Sequence, residues 1–288
     1  MENETSVAEA PLRVACIQME PHIGDKAGNL QKSERMIRDA AKAGARLIVL
    51  PELSNSGYMF QTRDEAFGLA ESIPDGETCR LWARLASETG ATLVAGICER
   101  DGAALYNSAV VIGPAGCIGT YRKVHLWDRE ALFFEPGNLG FPVFTTDVGR
   151  IAAFICYDCW FPEAHRSCAL QGADILCVPT NWVPVPGQRE DREAMANILV
   201  MAAAHSNSVF IAAADRIGTE RGQPFIGQSL IVSQAGWPIG GPASYDREEI
   251  IYADVNLSDA RKKRTWTAFN HILRDRRPES YASNLKTA

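Results

Sequence analysis

Apolar residues along the chain fall into short, nearly unbroken runs separated by segments of helical period. Leu12 to Met19 (LRVACIQM) and Leu47 to Leu50 read as strands, as do Thr92 to Cys98, Tyr106 to Ile112 and Cys117 to Val124. Ile175 to Val178, Val209 to Ala214, Gln228 to Ser233 and Ile250 to Val255 continue the series. Between them, Leu30, Ile37, Ala40 and Ala41 share one helical face, and Gly44 is a natural stop. A second helix spans Thr78 to Thr89, with Leu81, Trp82, Leu85 and Ala86 inward and Gly90 at its end. Glu163 to Gln171 reads as a third. Glu190 to Asn207 is the longest helical candidate, apolar at Met195, Ile198, Leu199, Ala202 and Ala203. Asp101-Gly102 marks a hairpin turn, and Pro114-Ala115-Gly116 a second turn.

Strands alternating with helices predict an α/β fold, with sheets sandwiched between helical layers. No linker, low-complexity stretch or fixed-period repeat divides the chain, so residues 11–279 read as one domain. Residues 1–10 read as a flexible leader and 280–288 as a C-terminal tail.

Composition narrows the function classes. With 288 residues there is room for one large domain, and the 46 % hydrophobic content is that of an ordinary globular chain. The net charge of -6 argues against a general nucleic-acid binder or a partner of anionic membranes. Met1-Glu2-Asn3-Glu4 is acidic with no apolar core behind it, unlike a secretory signal, and no apolar run approaches the roughly 20 residues of a membrane span. Eight cysteines sit in apolar segments and not in a loop-rich scaffold, which predicts reduced thiols in a cytoplasmic protein.

Candidate chemistry centres on the run Ile151-Ala152-Ala153-Phe154-Ile155-Cys156-Tyr157-Asp158. It begins as a strand buried on both faces, and Cys156 sits where the strand stops. A thiol at that corner, beside the backbone N–H of Tyr157, offers a nucleophile and a site for the oxyanion it would create; the alternative is a buried structural cysteine. Glu52 ends the Leu47 to Leu50 strand, as a general base or as a helix cap or ion-pair partner. Lys123, in Tyr121-Arg122-Lys123-Val124-His125, needs a carboxylate or ligand if it points inward, and is an edge-strand lysine otherwise. His125 reads as a structural histidine. Cys156-x-x-Cys159 spells a redox motif, yet it follows a long buried strand and lies among other motifs. Cys168 and Cys177 lack a zinc-site spacing, so no metal site is expected. The basic run Arg261-Lys262-Lys263-Arg264 reads as a solvated helix face.

Taken together, Glu52 in Pro-Glu-Leu-Ser-Asn-Ser-Gly-Tyr, Lys123 in Tyr-Arg-Lys-Val-His-Leu and Cys156 in Ile-Cys-Tyr-Asp-x-Trp-Phe-Pro-Glu resemble the nitrilase superfamily of carbon–nitrogen hydrolases. The resemblance extends through Asn107-Ser108-Ala109, Phe134-Glu135-Pro136-Gly137, Pro179-Thr180-Asn181-Trp182 and Ala214-Asp215-Arg216-Ile217-Gly218. It implies a four-layer α-β-β-α sandwich. It implies Glu52 as general base, Lys123 as cationic stabiliser, Cys156 as nucleophile and Glu130 as a second glutamate. No cofactor is implied. Members commonly associate through helices near the nucleophile and the C-terminal tail, so a homodimer or larger homo-oligomer is expected.

Within that family, nitrilases usually carry Cys-Trp-Glu where this chain has Cys156-Tyr157-Asp158. Carbamoyl-D-amino-acid hydrolases usually place arginines at the positions of Cys159 and Trp160. Carbamoylputrescine-type members resemble the Asp-x-Trp-Phe-Pro-Glu run more closely, though with Gln where Cys159 stands. Tyr58, Trp127, Trp160, Asn181 and Trp182 are expected to line the acyl pocket, which suits a neutral acyl group. The expected substrate is a small carboxamide, with N-carbamoyl compounds and then nitriles as alternatives, and an inactive binding module as the non-enzyme alternative. Arg63, Arg189, Arg192 and Arg216 are the residues whose arrival in the pocket would favour an anionic substrate.

Overall fold

The period-two alternation of the first strand separates two cores. In a computed structural model, which describes residues 11–187 and 193–281, β1 (Leu12–Gln18) sends Val14 and Cys16 into one apolar cluster and Ala15 and Ile17 into another. It belongs to a six-stranded sheet with β2 (Leu47–Val49), β3 (Thr92–Asp101), β4 (Ala104–Gly113), β5 (Gly116–Arg122) and a last strand, β14 (Glu249–Val255). Its order is β14-β1-β2-β3-β4-β5, with β1, β2 and β3 parallel. The second sheet holds β6 (Val143–Thr146), β7 (Gly149–Ala153), β8 (Ile175–Pro179), β9 (Phe210–Ala214), β12 (Leu230–Val232) and β13 (Pro238–Gly240). Its order is β13-β12-β9-β8-β7-β6, with β7, β8 and β9 parallel. A small ribbon, β10 (Thr219–Glu220) with β11 (Gln223–Pro224), stands apart.

Helices α1 (Lys26–Lys42) and α3 (Glu77–Thr89) cover the outer face of the first sheet, packing Met36, Ile37, Ala40, Trp82, Leu85 and Ala86 on Ile48, Leu93, Ala95 and Ile112. Helices α4 (Pro162–Leu170) and α5 (Met195–Asn207) cover the second through Cys168, Ala169, Val200 and Ala204. Val14, Cys16, Val49, Val94 and Val111 join Ile151, Ile175 and Cys177 in the core that the two sheets share. The layers therefore run α-β-β-α, as the resemblance implied. Among the described residues, no helix is long and apolar enough to cross a membrane.

Several local expectations are corrected. A short helix, α2 (Arg63–Leu69), went unread because Ala66 alone among its residues is buried, so no apolar stripe betrays it. Its signal was the cap: Thr62 accepts from Glu65 N, and Glu65 accepts from Gln61 N. Strand β6 went unread because it is a partly exposed sheet edge. The long helix begins at Met195; residues 190–192 of the expectation lie outside the described residues, as do the leader and the end of the tail. Gln228 has φ 59 and stays out of β12. The basic run is not simply solvated: in α6 (Ser258–Lys262) Arg261 lies 3.3 Å from buried Asp174, and Arg264 donates to the Ala173 carbonyl.

Candidate active site

Strand β5 runs parallel to β2, because each is related to its neighbour through β3 and β4 by two antiparallel steps. Glu52 and Lys123, which follow these strands, therefore emerge at one end of the first sheet. A glycine fixes Glu52. Past β2 the chain stays against β3, with Leu50 N donating to Val94 O, Gly96 N to Pro51 O and Ser54 N to Gly96 O. A Cβ at Gly96 would stand 2.4 Å from the Glu52 Cα, so no larger residue fits beneath the turn. Lys123 is set by a similar device. Its N–H donates to Asn107 O and its carbonyl accepts from Gly137 N; a Cβ at Gly137 would meet Arg122 O at 2.0 Å. That contact explains the glycine of the Phe-Glu-Pro-Gly run.

The Lys123 side chain is fully buried and lies between two carboxylates, 2.6 Å from Glu52 Oε1 and 2.7 Å from Glu130 Oε1. Asn107 Nδ2 donates to the same Glu52 oxygen at 2.7 Å. Tyr58 OH donates to Glu130 Oε1 at 2.6 Å, and Trp127 N to Glu130 Oε2 at 3.2 Å. Glu52 Oε2 is buried and has no hydrogen-bond partner among the described residues. A buried lone pair left unpaired is costly unless a reacting group uses it.

One ammonium shared by two carboxylates leaves the cluster an excess of negative charge. Burial pushes the Glu52 carboxyl up to about 7; Lys123 pulls it down, and the Glu130 charge raises it further. For Lys123, burial favours the neutral amine, but Glu130 and Glu52 outweigh it and hold the ammonium above its ordinary pKa. Burial and the Glu52 charge raise the Cys156 thiol well above its ordinary value, while Lys123 and the otherwise unpartnered Thr180 hydroxyl favour the thiolate. The resting thiol thus keeps its proton until a base takes it.

Cys156 follows β7 and opens a 3-10 turn, Cys156–Trp160, with its own φ at 46°. A left-handed non-glycine residue costs about 1–3 kcal/mol and persists where its surroundings impose it. Buried Asp158 does so here. Its Oδ2 accepts from Ile155 N at 2.9 Å and from Tyr121 OH at 2.7 Å. Its Oδ1 accepts from His125 N and lies 2.7 Å from His125 Nδ1. The His125 ring stacks on Phe161 at 3.6 Å. Asp158 therefore ties the cysteine turn to both sides of Lys123. Asn181 Nδ2, beyond β8, donates to Glu52 O at 3.0 Å and joins the second sheet to the base.

A narrow pocket opens at Cys156, lined by Trp127, Tyr157, Trp160, Asn181, Trp182, Val183 and Val185. Four of the five residues expected to line the acyl pocket stand there. The fifth, Tyr58, does not: it lines an adjoining space that shares Trp127 and Val183, and its hydroxyl is engaged by Glu130. Tyr157 follows Cys156 directly, at the position expected for the oxyanion N–H. Arg63 is bound to the carbonyls of Phe133 and Ala103, and Arg216 to that of Pro21, and neither lines the cysteine cavity. Arg189 and Arg192 lie outside the described residues. Cys159 is buried, and all eight cysteines are free.

Sequence reasoning missed Asn107, Asp158 and Thr180 as parts of the site. All three lay within motifs already singled out, but their partners are distant in sequence.

The arrangement can place a base, a fixed cation and a thiol around one carbonyl carbon. The carbon-nitrogen hydrolase family model matches residues 13–265. A protein of Pyrococcus abyssi called nitrilase is 44% identical, over 94% of this chain and 99% of its own. A citrullinase of Francisella tularensis is 34% identical, over 94% and 97%. A crystal structure of a carbon-nitrogen hydrolase from Helicobacter pylori G27 superposes with a TM-score of 0.85 at 29% identity, covering 96% of this chain and 98% of that one. A match of this extent, on this fold, makes the chain a member of the carbon–nitrogen hydrolase family.

Proposed function

We propose that the protein hydrolyses a small primary carboxamide to the carboxylic acid and ammonia, through a thioester on Cys156. In this reading Glu52 accepts the Cys156 proton through Oε2, and the sulfur attacks the amide carbon. Lys123 Nζ and the Tyr157 backbone N–H hold the oxyanion. Glu52 returns its proton to the nitrogen, the carbon–nitrogen bond breaks and ammonia leaves. Water then loses a proton to Glu52 and attacks the thioester; the carbon–sulfur bond breaks and the thiolate regains the proton.

The observation that carries the substrate class is the lining of the cysteine cavity. Trp127, Trp160, Trp182, Val183 and Val185 give it apolar walls, Asn181 gives it a polar group, and none of the described residues that line it is a cation. A carboxylate buried there unpaired would cost several kcal/mol. N-carbamoyl hydrolysis is the second reading, favoured by Arg129 in the adjoining space and by the citrullinase relative. The test is kcat/KM for an amide, its nitrile and a matched N-carbamoyl amino acid under one set of conditions. The amide should lead. A tenfold or larger preference for the carbamoyl acid, roughly 1.4 kcal/mol in transition-state binding, would overturn the reading.

Self-association is part of the proposal, through the outer face of α4 and α5, where Leu170 and Ile198 are exposed. Sedimentation should then show a dimer or larger species that Ile198→Glu weakens, and a wild-type monomer would remove it.

A further inference from the structure

Glu220, at the end of β10, is 162 residues from the loop that carries Tyr58, yet its carboxylate is buried against that loop. Its Oε2 accepts from Tyr58 N at 2.8 Å and from Met59 N at 2.7 Å. Its Oε1 accepts from Ile23 N at 3.0 Å and lies 3.2 Å from Arg216 Nη1. Three backbone donors and one buried arginine thus converge on a single side chain. Gly57 permits the approach: its φ is +82°, and a Cβ there would lie 2.9 Å from Glu220 Oε1.

The Tyr58 ring is held as firmly as its backbone. Phe225 meets it edge-on at 5.9 Å, and the Arg216 guanidinium lies 4.1 Å over the Phe225 ring. Gripped at backbone and ring, Tyr58 gives its hydroxyl hydrogen to Glu130 Oε1, the oxygen that also accepts from Lys123. A 2.6 Å O–H···O bond tolerates a displacement of only a few tenths of an ångström.

We propose that Glu220 is a positioning residue for the reaction, fixing the Glu130–Lys123 pair through the Tyr58 loop. The inference rests on the proposed role of Lys123 at the oxyanion. A carboxylate that merely closed a loop would support stability without reaching turnover; this one reaches Glu130 through two hydrogen bonds and the Tyr58 side chain, and a third hydrogen bond carries it to Lys123. Glutamine at 220 keeps one acceptor oxygen and turns an amide N–H toward donors, so the loop relaxes without losing volume.

The test is a double-mutant cycle on the full chain, with butyramide as substrate and Glu71→Gln as a control in another buried cluster. Glu220→Gln should lower kcat by roughly tenfold or more while KM changes by less than about threefold. Tyr58→Phe should do likewise, and the double variant should be no slower than the slower single, because both act through one contact. Glu71→Gln should lose thermal stability but keep kcat per folded molecule. Unchanged kcat in folded Glu220→Gln, or multiplied losses in the double variant, would overturn the proposal. Should Glu220→Gln fail to fold, Phe225→Leu replaces it in the cycle with the same two outcomes. A wild type inert toward butyramide but active on a carbamoyl compound would defeat the substrate proposal alone, and the cycle is then read with that compound.

Discussion

Among the described residues three buried glutamates lie beside a lysine, Glu52 and Glu130 at Lys123 and Glu71 at Lys26, and Glu52 and Glu71 differ in one oxygen. Glu71 lies next to Lys26, with Nζ 3.4 Å from Oε1. That Oε1 also takes the Thr78 hydroxyl and Asn55 Nδ2, while Oε2 takes Thr78 N at 2.8 Å. Both of its oxygens are occupied, and the cluster locks the start of α3 onto the edge of β3. Glu52 lies closer still to its lysine, 2.6 Å from Lys123 Nζ, yet Oε1 alone is engaged and Oε2 has no partner among the described residues. Burial and a lysine therefore do not mark a reactive carboxylate. In the proposed mechanism the mark is a lone pair left without a donor among the described residues, near enough to the Cys156 thiol to raise its pKa.

This comparison is broken most severely at the nucleophile. Cys156→Ala should abolish amide hydrolysis with the fold intact, because it removes the reacting atom and little packing, whereas Cys159→Ser should keep measurable turnover. An active Cys156→Ala with an inert Cys159→Ser would move the chemistry to the wrong side of the turn.

The next largest effects belong to the charged groups. Lys123→Ala should slow kcat/KM by roughly 10²–10³-fold, the loss expected for an oxyanion donor. Glu52→Gln should be comparably severe. Steady-state rates on protein whose folding is verified by circular dichroism would check both, and near-normal kinetics in Glu52→Gln would remove the base.

A smaller change sharpens the picture by titration. Glu52 must be ionised to accept a proton, so kcat/KM should fall as pH drops through about 7. Asn107 donates to the ionised carboxylate and holds its pKa down. Asn107→Ala should therefore move the acid limb to higher pH. A limb that stays in place would separate Glu52 from the observed titration.

The smallest effect on turnover should come from Glu71→Gln. It removes a charged acceptor from Thr78 and Asn55, at a cost of about 1–3 kcal/mol in stability, and leaves the reacting groups untouched. Thermal melts should show the loss while kcat per folded molecule stays within about twofold. Equal losses of activity in Glu71→Gln and Glu52→Gln would erase the distinction between the clusters.

The two residues proposed as base and nucleophile were legible as candidates in sequence because each ends a strand whose apolar run announces it. Glu52 closes Leu47 to Leu50, and Cys156 closes Ile151 to Ile155. The residues that hold them in place were harder to read. Asp158 meets Tyr121 and His125 from 37 and 33 positions away, and no local pattern records such contacts. Tyr58 was expected in the acyl pocket as an aromatic residue within a motif, but its hydroxyl reaches Glu130, 72 residues on. Helix α2 shows a similar limit: its cap was written in Thr62 and Glu65, but the absence of an apolar stripe hid it. Period reveals what is buried against a sheet, whereas long-range hydrogen bonds leave no trace in period.

The most direct test of the account is to trap the acyl-enzyme with a slowly hydrolysed amide and locate the adduct by intact-protein and peptide mass spectrometry. The account predicts an added acyl group on the peptide containing Cys156, absent in Cys156→Ala and convertible to a hydroxamate by hydroxylamine. Continued hydrolysis with no adduct on any cysteine, or an adduct on Cys159 instead, would contradict it.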